Sequence, residues 1–144
     1  MSKRLALIHG PNLNLLGQRD PGMYGTLTLA ELEAAVRDHA SARGFELSTF
    51  QSNVEGELIN ALHDAAQSCA GVIFNPGGFS HTSVALRDAV EAIGIPTIEV
   101  HLSNIHARES FRRTSLTASA AKACISGLGK TGYLAAVDQF SQLD

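Results

Sequence analysis

Val72-Ile73-Phe74-Asn75-Pro76-Gly77-Gly78, then apolar residues at Val84, Leu86, Ala89, Val90 and Ile93, then Thr97-Ile98-Glu99-Val100: on this stretch the fold turns. Its first three residues form an uninterrupted apolar run, as expected of a strand covered on both faces. Asn-Pro-Gly-Gly is turn chemistry. The apolar residues that follow recur at helical spacing, and the helix stops at Gly94 with Pro96 close behind. Thr97–Val100 is again strand-like. A strand, a crossover helix and a second strand make a unit whose strands lie parallel.

The same alternation extends in both directions. Leu5-Ala6-Leu7-Ile8 is another short apolar run, and the chain after it reaches a capping-box pattern at Thr28 and Glu31. Leu29, Leu32, Val36 and Ala40 then mark a helical stripe, which Arg43-Gly44 ends. Phe45, Leu47 and Thr49 alternate with polar residues, so this second strand belongs near an edge. Ser52 and Glu55 suggest another cap ahead of Leu58, Ile59, Leu62 and Ala66. Toward the C-terminus, Ala123-Cys124-Ile125 reads as a fifth strand, and a last helix covers about 129–140. No repeat, linker or low-complexity tract interrupts the pattern, which predicts a single domain over 1–144. Five strands alternating with helices predict an α/β doubly wound parallel sheet with right-handed crossovers. The flavodoxin-like order 2-1-3-4-5 is the common five-strand solution and puts strand two at an edge.

Composition narrows the partners. Of 144 residues, 44% are apolar and 17% charged, a globular balance. The net charge of −3 and the lack of a Lys/Arg block argue against nucleic acid or an anionic membrane as partner. No apolar run can span a bilayer and no signal peptide precedes the first strand, so a cytoplasmic protein is expected. Cys69 and Cys124 stand outside any C-x-x-C spacing and are expected to be buried small hydrophobes.

In sheets of this order, ligands bind beyond the carboxyl ends of the central strands. There the chain places His9-Gly10-Pro11-Asn12, Asn75-Pro76-Gly77-Gly78 and His101-Leu102-Ser103-Asn104. Any one of these alone is ordinary turn chemistry; three at one crevice point to a site. The connection from Gly10 to Leu27 is long for a βα loop and carries Arg19, Tyr24 and the glycines 17, 22 and 25. It is expected to be a lid, centred on about 17–26.

Other chemistries find less support. His39 and His63 fall on helices as solvated residues, and His9 closes a buried strand as a satisfied core residue. His101 and His106 lack the i, i+4 spacing of a helical ligand pair, so no metal site is expected. Gly127-Leu-Gly-Lys-Thr131 falls short of a P-loop, because Cys124 stands where its first glycine belongs; a tight turn into the last helix fits better. A flavin-binding or other phosphate-binding module would need a phosphate cradle after strand one, and Pro11 removes a backbone donor there. A structural subunit that keeps the fold for assembly alone is a second alternative.

At this point the residues resemble a family. Gly10-Pro11-Asn12-Leu13-Asn14-Leu15-Leu16-Gly17 with Arg19, Pro21 and Tyr24-Gly25 is similar to the opening signature of the type II 3-dehydroquinate dehydratases. Phe74–Gly78 with His81–Asp88, Glu99–Glu109 with Phe111-Arg112, Gln51-Ser52-Asn53 and Gly127–Tyr133 resemble its remaining blocks, in order and over nearly the whole chain. Ser80, where the family more often has threonine, is a local departure. The resemblance implies a cofactor-free and metal-free enzyme that removes water from 3-dehydroquinate, a step used in both aromatic biosynthesis (the shikimate pathway) and quinate breakdown. It implies Tyr24 as base, Arg19 as its activator, His101 as acid, Glu99 as its orienter, and Asn12 as holder of a water beside the enolate. It further implies that Asn75, His81, Leu102, Ser103 and Arg112 bind substrate. Asp88 would reach in from a neighbouring subunit of a homo-oligomer, a dodecamer of trimers.

Physical chemistry fits these roles. A free tyrosine has a pKa of about 10, and a nearby guanidinium favours the phenolate by about 1–3 units. Glu99 is two residues before His101, so in a strand both point to one face, where the carboxylate can fix the imidazole's tautomer. An acidic residue inside an apolar strand is costly unless it is paired.

Overall fold

The computed structural model describes residues 3–18 and 25–143. Five strands, β1 (Lys3–His9), β2 (Phe45–Gln51), β3 (Gly71–Asn75), β4 (Thr97–His101) and β5 (Ala123–Ser126), form one parallel sheet in the order β2-β1-β3-β4-β5. Among the described residues, four α-helices cover it: α1 (Leu29–Ser41), α2 (Glu55–Ser68) and α3 (Val84–Ala92) connect β1 through β4, short 3-10 turns join β4 to β5, and α4 (Lys130–Ser141) follows β5. The expected order, parallel sense and edge position of β2 are all observed.

Strand alternation divides the interior in two. Leu5, Leu7, Ile73, Ile98 and Val100 face one side, where Leu32 and Val36 of α1 and Tyr133, Val137 and Phe140 of α4 cover them. Ala6, Ile8, Val72 and Phe74 face the other, against Leu58 and Leu62 of α2 and Leu86 and Val90 of α3. Burial on both faces is why the central strands are apolar without alternation. Each large aliphatic side chain so buried stabilises the fold by about 1.5–3 kcal/mol.

The helix ends follow local chemistry, with one correction. Thr28 and Glu31 form the expected reciprocal capping box at α1. The Ser52–Glu55 cap does not form: Val54 is the N-cap of α2 and gives no side-chain bond. Ser52 instead accepts from the Val54 amide and donates to Glu57. Gly127 and Gly129 adopt positive φ of 90° and 57° as the chain turns into α4, a backbone region open to glycine. The cysteines also depart from expectation. Cys69 is half-buried and Cys124 exposed, because β5 is a four-residue edge strand with its first two residues uncovered. His63 is exposed as expected, whereas His39 is three-quarters buried and bonds Asp138 at 2.9 Å.

Candidate active site

Tight backbone packing joins the first two strand ends. The Gly10 amide donates to the Asn75 carbonyl at 2.7 Å. A Cβ on Gly10 would lie 2.3 Å from the Pro76 carbonyl oxygen, so only glycine lets these turns touch. Asn12 follows in a left-handed conformation, φ 70°, with its amide donating to the Asn53 side chain at 2.9 Å. A phosphate cradle after β1 would need these same N–H groups. They are already used, which disfavours the flavin alternative.

At the carboxyl ends of β1, β3 and β4 opens a cleft of about 110 Å³. Asn12, Asn75, His81, His101, Leu102, Ser103 and Arg112 all line it. Glu99 lies directly behind, 1% exposed. Asp88 does not line the cleft; it sits exposed on α3, 3.1 Å from Arg87 of its own chain. Arg19, Tyr24 and the centre of the expected lid lie outside the described residues. A larger groove of about 520 Å³ runs between β2 and α2, away from these strand ends and without their converging polar groups.

His101 and Glu99 form the electrostatic centre. Nε2 of His101 lies 2.7 Å from Oε2 of Glu99, both side chains being almost wholly buried. With an ionised carboxylate accepting, the hydrogen on Nε2 points away from the cleft. Ser115 donates to the same carboxylate at 2.6 Å, and the Thr117 hydroxyl donates to its other oxygen. Burial pushes the Glu99 carboxyl up, but the His101 bond and charge and the two hydroxyls outweigh it and leave it below its ordinary value. Glu99 is thus held as an anion. The His101 ring also stacks with His81, centroids 6.4 Å apart, while His81 Nδ1 donates to the Thr114 carbonyl at 2.8 Å.

Asn75 is oriented from behind. Its Oδ1 accepts from the Gly77 amide at 3.0 Å, and its Nδ2 donates to the Tyr133 hydroxyl at 2.9 Å. With those two bonds in place, Asn75 can offer a ligand its second N–H. Tyr133 is fully buried; burial pushes its phenol well up, opposed only by the Asn75 bond, so it remains neutral. His9 is wholly buried beside it, with Nε2 3.0 Å from Glu33.

The sequence did not single out Arg108, Ser115 or Thr117, nor Tyr133 as a site residue. Arg108 lines the cleft and reaches the Ser103 hydroxyl at 3.4 Å. Only the fold joins Ser115, Thr117 and Tyr133 to their partners Glu99 and Asn75, 16 to 58 residues away, and a hydroxyl or tyrosine in a helical or loop pattern carries no separate signal. Tyr133→Phe is expected to lower kcat/KM by about tenfold, the worth of about one buried hydrogen bond, because the Asn75 amide loses its acceptor. The variant keeps the ring's packing. An unchanged kcat/KM in steady-state kinetics would show that Asn75 needs no such support.

Residues 3–141 match the family model described as Dehydroquinase class II. The 3-dehydroquinate dehydratase of Pelotomaculum thermopropionicum is 54% identical over 134 residues, 93% of each chain. The type II dehydroquinase structure from Propionibacterium acnes superposes with a TM-score of 0.94 at 37% identity, covering 99% of this chain and 98% of that one. That from Butyrivibrio crossotus gives 0.93 at 36%, covering 96% and 97%.

Proposed function

Because the chain belongs to the class II dehydroquinase family, we propose that it eliminates water from 3-dehydroquinate through an enolate, with Tyr24 as base and His101 as acid. It is a hydro-lyase of the type II class. The base takes a proton from the carbon beside the ketone, and the electron pair moves onto the ketone oxygen. Collapse of the enolate expels the β-hydroxyl, which leaves as water with a proton from His101. The product is 3-dehydroshikimate, with a carbon–carbon double bond conjugated to the ketone.

The observation that carries this reading is the buried Glu99–His101 pair facing a cleft lined by Asn12, Asn75 and Ser103. A carboxylate kept anionic behind the ring fixes its orientation and tautomer, as a positioned general acid needs. For the base, the chain offers two tyrosines. Tyr133 is buried, neutral and engaged with Asn75. The family resemblance assigns the base to Tyr24, with Arg19 five residues before it to favour the phenolate. Asn12 is assigned a water beside the enolate oxygen. Arg112, the Ser103 hydroxyl and the backbone at Leu102 and Ser103 suit the substrate carboxylate, with Arg108 adding a second guanidinium at the cleft. Asn75 and His81 suit its hydroxyls.

No cofactor enters this scheme. Chelator-treated protein mixed with 3-dehydroquinate should generate the ultraviolet absorbance of a conjugated enone. No absorbance from folded protein would overturn the reading. The two free cysteines, one exposed, suit a reducing cytoplasm.

Asp88 is assigned to a neighbour's cleft in a dodecamer of trimers, since its exposed position on α3 leaves it out of its own. Asp88→Ala should raise KM or weaken assembly while leaving the circular dichroism of the fold unchanged. A fully active monomer by light scattering would refute the shared site.

A further inference from the structure

Glu99, His101 and Cys124 bring three different donor atoms, a carboxylate oxygen, an imidazole nitrogen and a thiol sulfur, within 4.8 Å of one another. Two strands in register produce this cluster: Glu99 of β4 pairs with Cys124 of β5, and His101 follows Glu99 on the same face. The His101 Nε2 to Glu99 Oε2 distance is 2.7 Å, and Cys124 Sγ lies 3.9 Å from the same oxygen. Around a tetrahedral zinc ion, with bonds of about 2.0 Å to nitrogen or oxygen and 2.3 Å to sulfur, donors stand about 3.3–3.7 Å apart. Adjustments of up to about 1 Å would bring the three atoms to that spacing.

We propose that Glu99, His101 and Cys124 form an inhibitory site for a borderline-soft divalent cation of the zinc class. A mixed N, O and S donor set selects such an ion over magnesium or calcium, which prefer oxygen alone. The exposed Cys124, on the outer strand of the sheet, provides the way in. Binding would displace the hydrogen between Nε2 and Oε2, which moves to Nδ1 through solvent as the neutral imidazole changes tautomer, and would release the thiol proton to solvent. One carboxylate, one thiolate and a neutral imidazole then balance the double positive charge, so the buried assembly carries none. Without the ion, burial and then the Glu99 charge push the Cys124 thiol up to about 11, and it stays protonated.

Inhibition follows from the proposed role of His101, on which that half of the inference rests: an imidazole coordinated through Nε2 cannot act as a protonated acid. Metal binding itself needs no such role. The tests separate the two. Chelator-stripped protein is titrated with Co²⁺ and read for a thiolate-to-cobalt charge-transfer band, and turnover is measured against added Zn²⁺. The expected result is a band in the wild type and in Cys69→Ser, abolished in Cys124→Ser. Basal turnover of Cys124→Ser should equal that of the wild type, with Zn²⁺ inhibition shifted to about 100-fold higher concentration, since losing even an outer partner of a metal site costs about 10–100-fold in affinity. No band at saturating Co²⁺, or equal zinc sensitivity of the wild type and Cys124→Ser, would overturn the site. A band in a protein without dehydratase activity would keep the site and reject the functional reading.

Discussion

Tyr24→Phe is expected to lower turnover by about 10³–10⁴-fold, at the upper end of what a positioned base contributes, and to do so at every pH. The variant has no ionisable group at that position, so raising the pH restores nothing. Arg19→Ala should behave differently. On the proposed roles, loss of the guanidinium removes a cation that favours phenolate, so the tyrosine's pKa is expected to move toward its ordinary value of about 10. Activity near neutrality then falls steeply and recovers in part as pH rises, because the phenolate forms unaided. The ascending limb of the pH–rate profile shifts upward. Near-normal turnover in Tyr24→Phe, or an unmoved ascending limb in Arg19→Ala, would assign the base elsewhere.

His101→Ala should cost about 10²–10⁴-fold in turnover, the range for a lost general acid, and it should also change stability in a pH-dependent way. Glu99 in the fold sits below its ordinary value of 4.5. A carboxyl so depressed contributes stability that is fully present above its unfolded pKa and is lost as pH falls through its folded one. Removing His101 takes away the hydrogen bond and charge that most lower it. The deficit relative to wild type should therefore be greatest above about pH 5 and should shrink in acid, once both proteins carry a protonated Glu99. At neutrality a buried carboxylate short of one hydrogen-bond donor costs about 1–3 kcal/mol, or several degrees in Tm. Thermal unfolding at pH 7 and in acid measures it. A deficit equal at both would mean that His101 stabilises by packing rather than through Glu99.

Unbroken apolar runs such as Val72-Ile73-Phe74 identified buried parallel strands, because they are too short for a buried helix and are bounded by turn residues such as Asn75-Pro76-Gly77. Once the strand order is set, the strand ends follow, and with them Asn12, Asn75 and His101 at one cleft. The Glu99–His101 pair was legible for the same reason, since a two-residue spacing in a strand settles a shared face. What escaped were long-range choices. Ser52 had several partners within reach, and the fold gave it to Val54 and Glu57 instead of the helix start. Cys124 looked interior because an apolar strand usually is, but a short last strand has no neighbour beyond it. The Tyr133 contact with Asn75 spans 58 residues and depends on how α4 lies on the sheet, which no local pattern encodes.

That same placement of α4 bears on how the chain reaches its structure. Leu5 in β1 pairs with Gly71 in β3, and Ile98 in β4 with Ala123 in β5. No sheet partner is supplied by a simple hairpin, so each pairing waits on loop closure over a long stretch, as expected of a slow-folding topology. The face carrying Leu5, Leu7 and Ile73 receives Tyr133, Val137 and Phe140 only when α4 arrives. A nascent chain emerging from the ribosome can therefore pair β1 with β2 early, yet it carries an uncovered apolar face until α4 has been synthesised. That interval is when the protein is most exposed to aggregation and most in need of a chaperone.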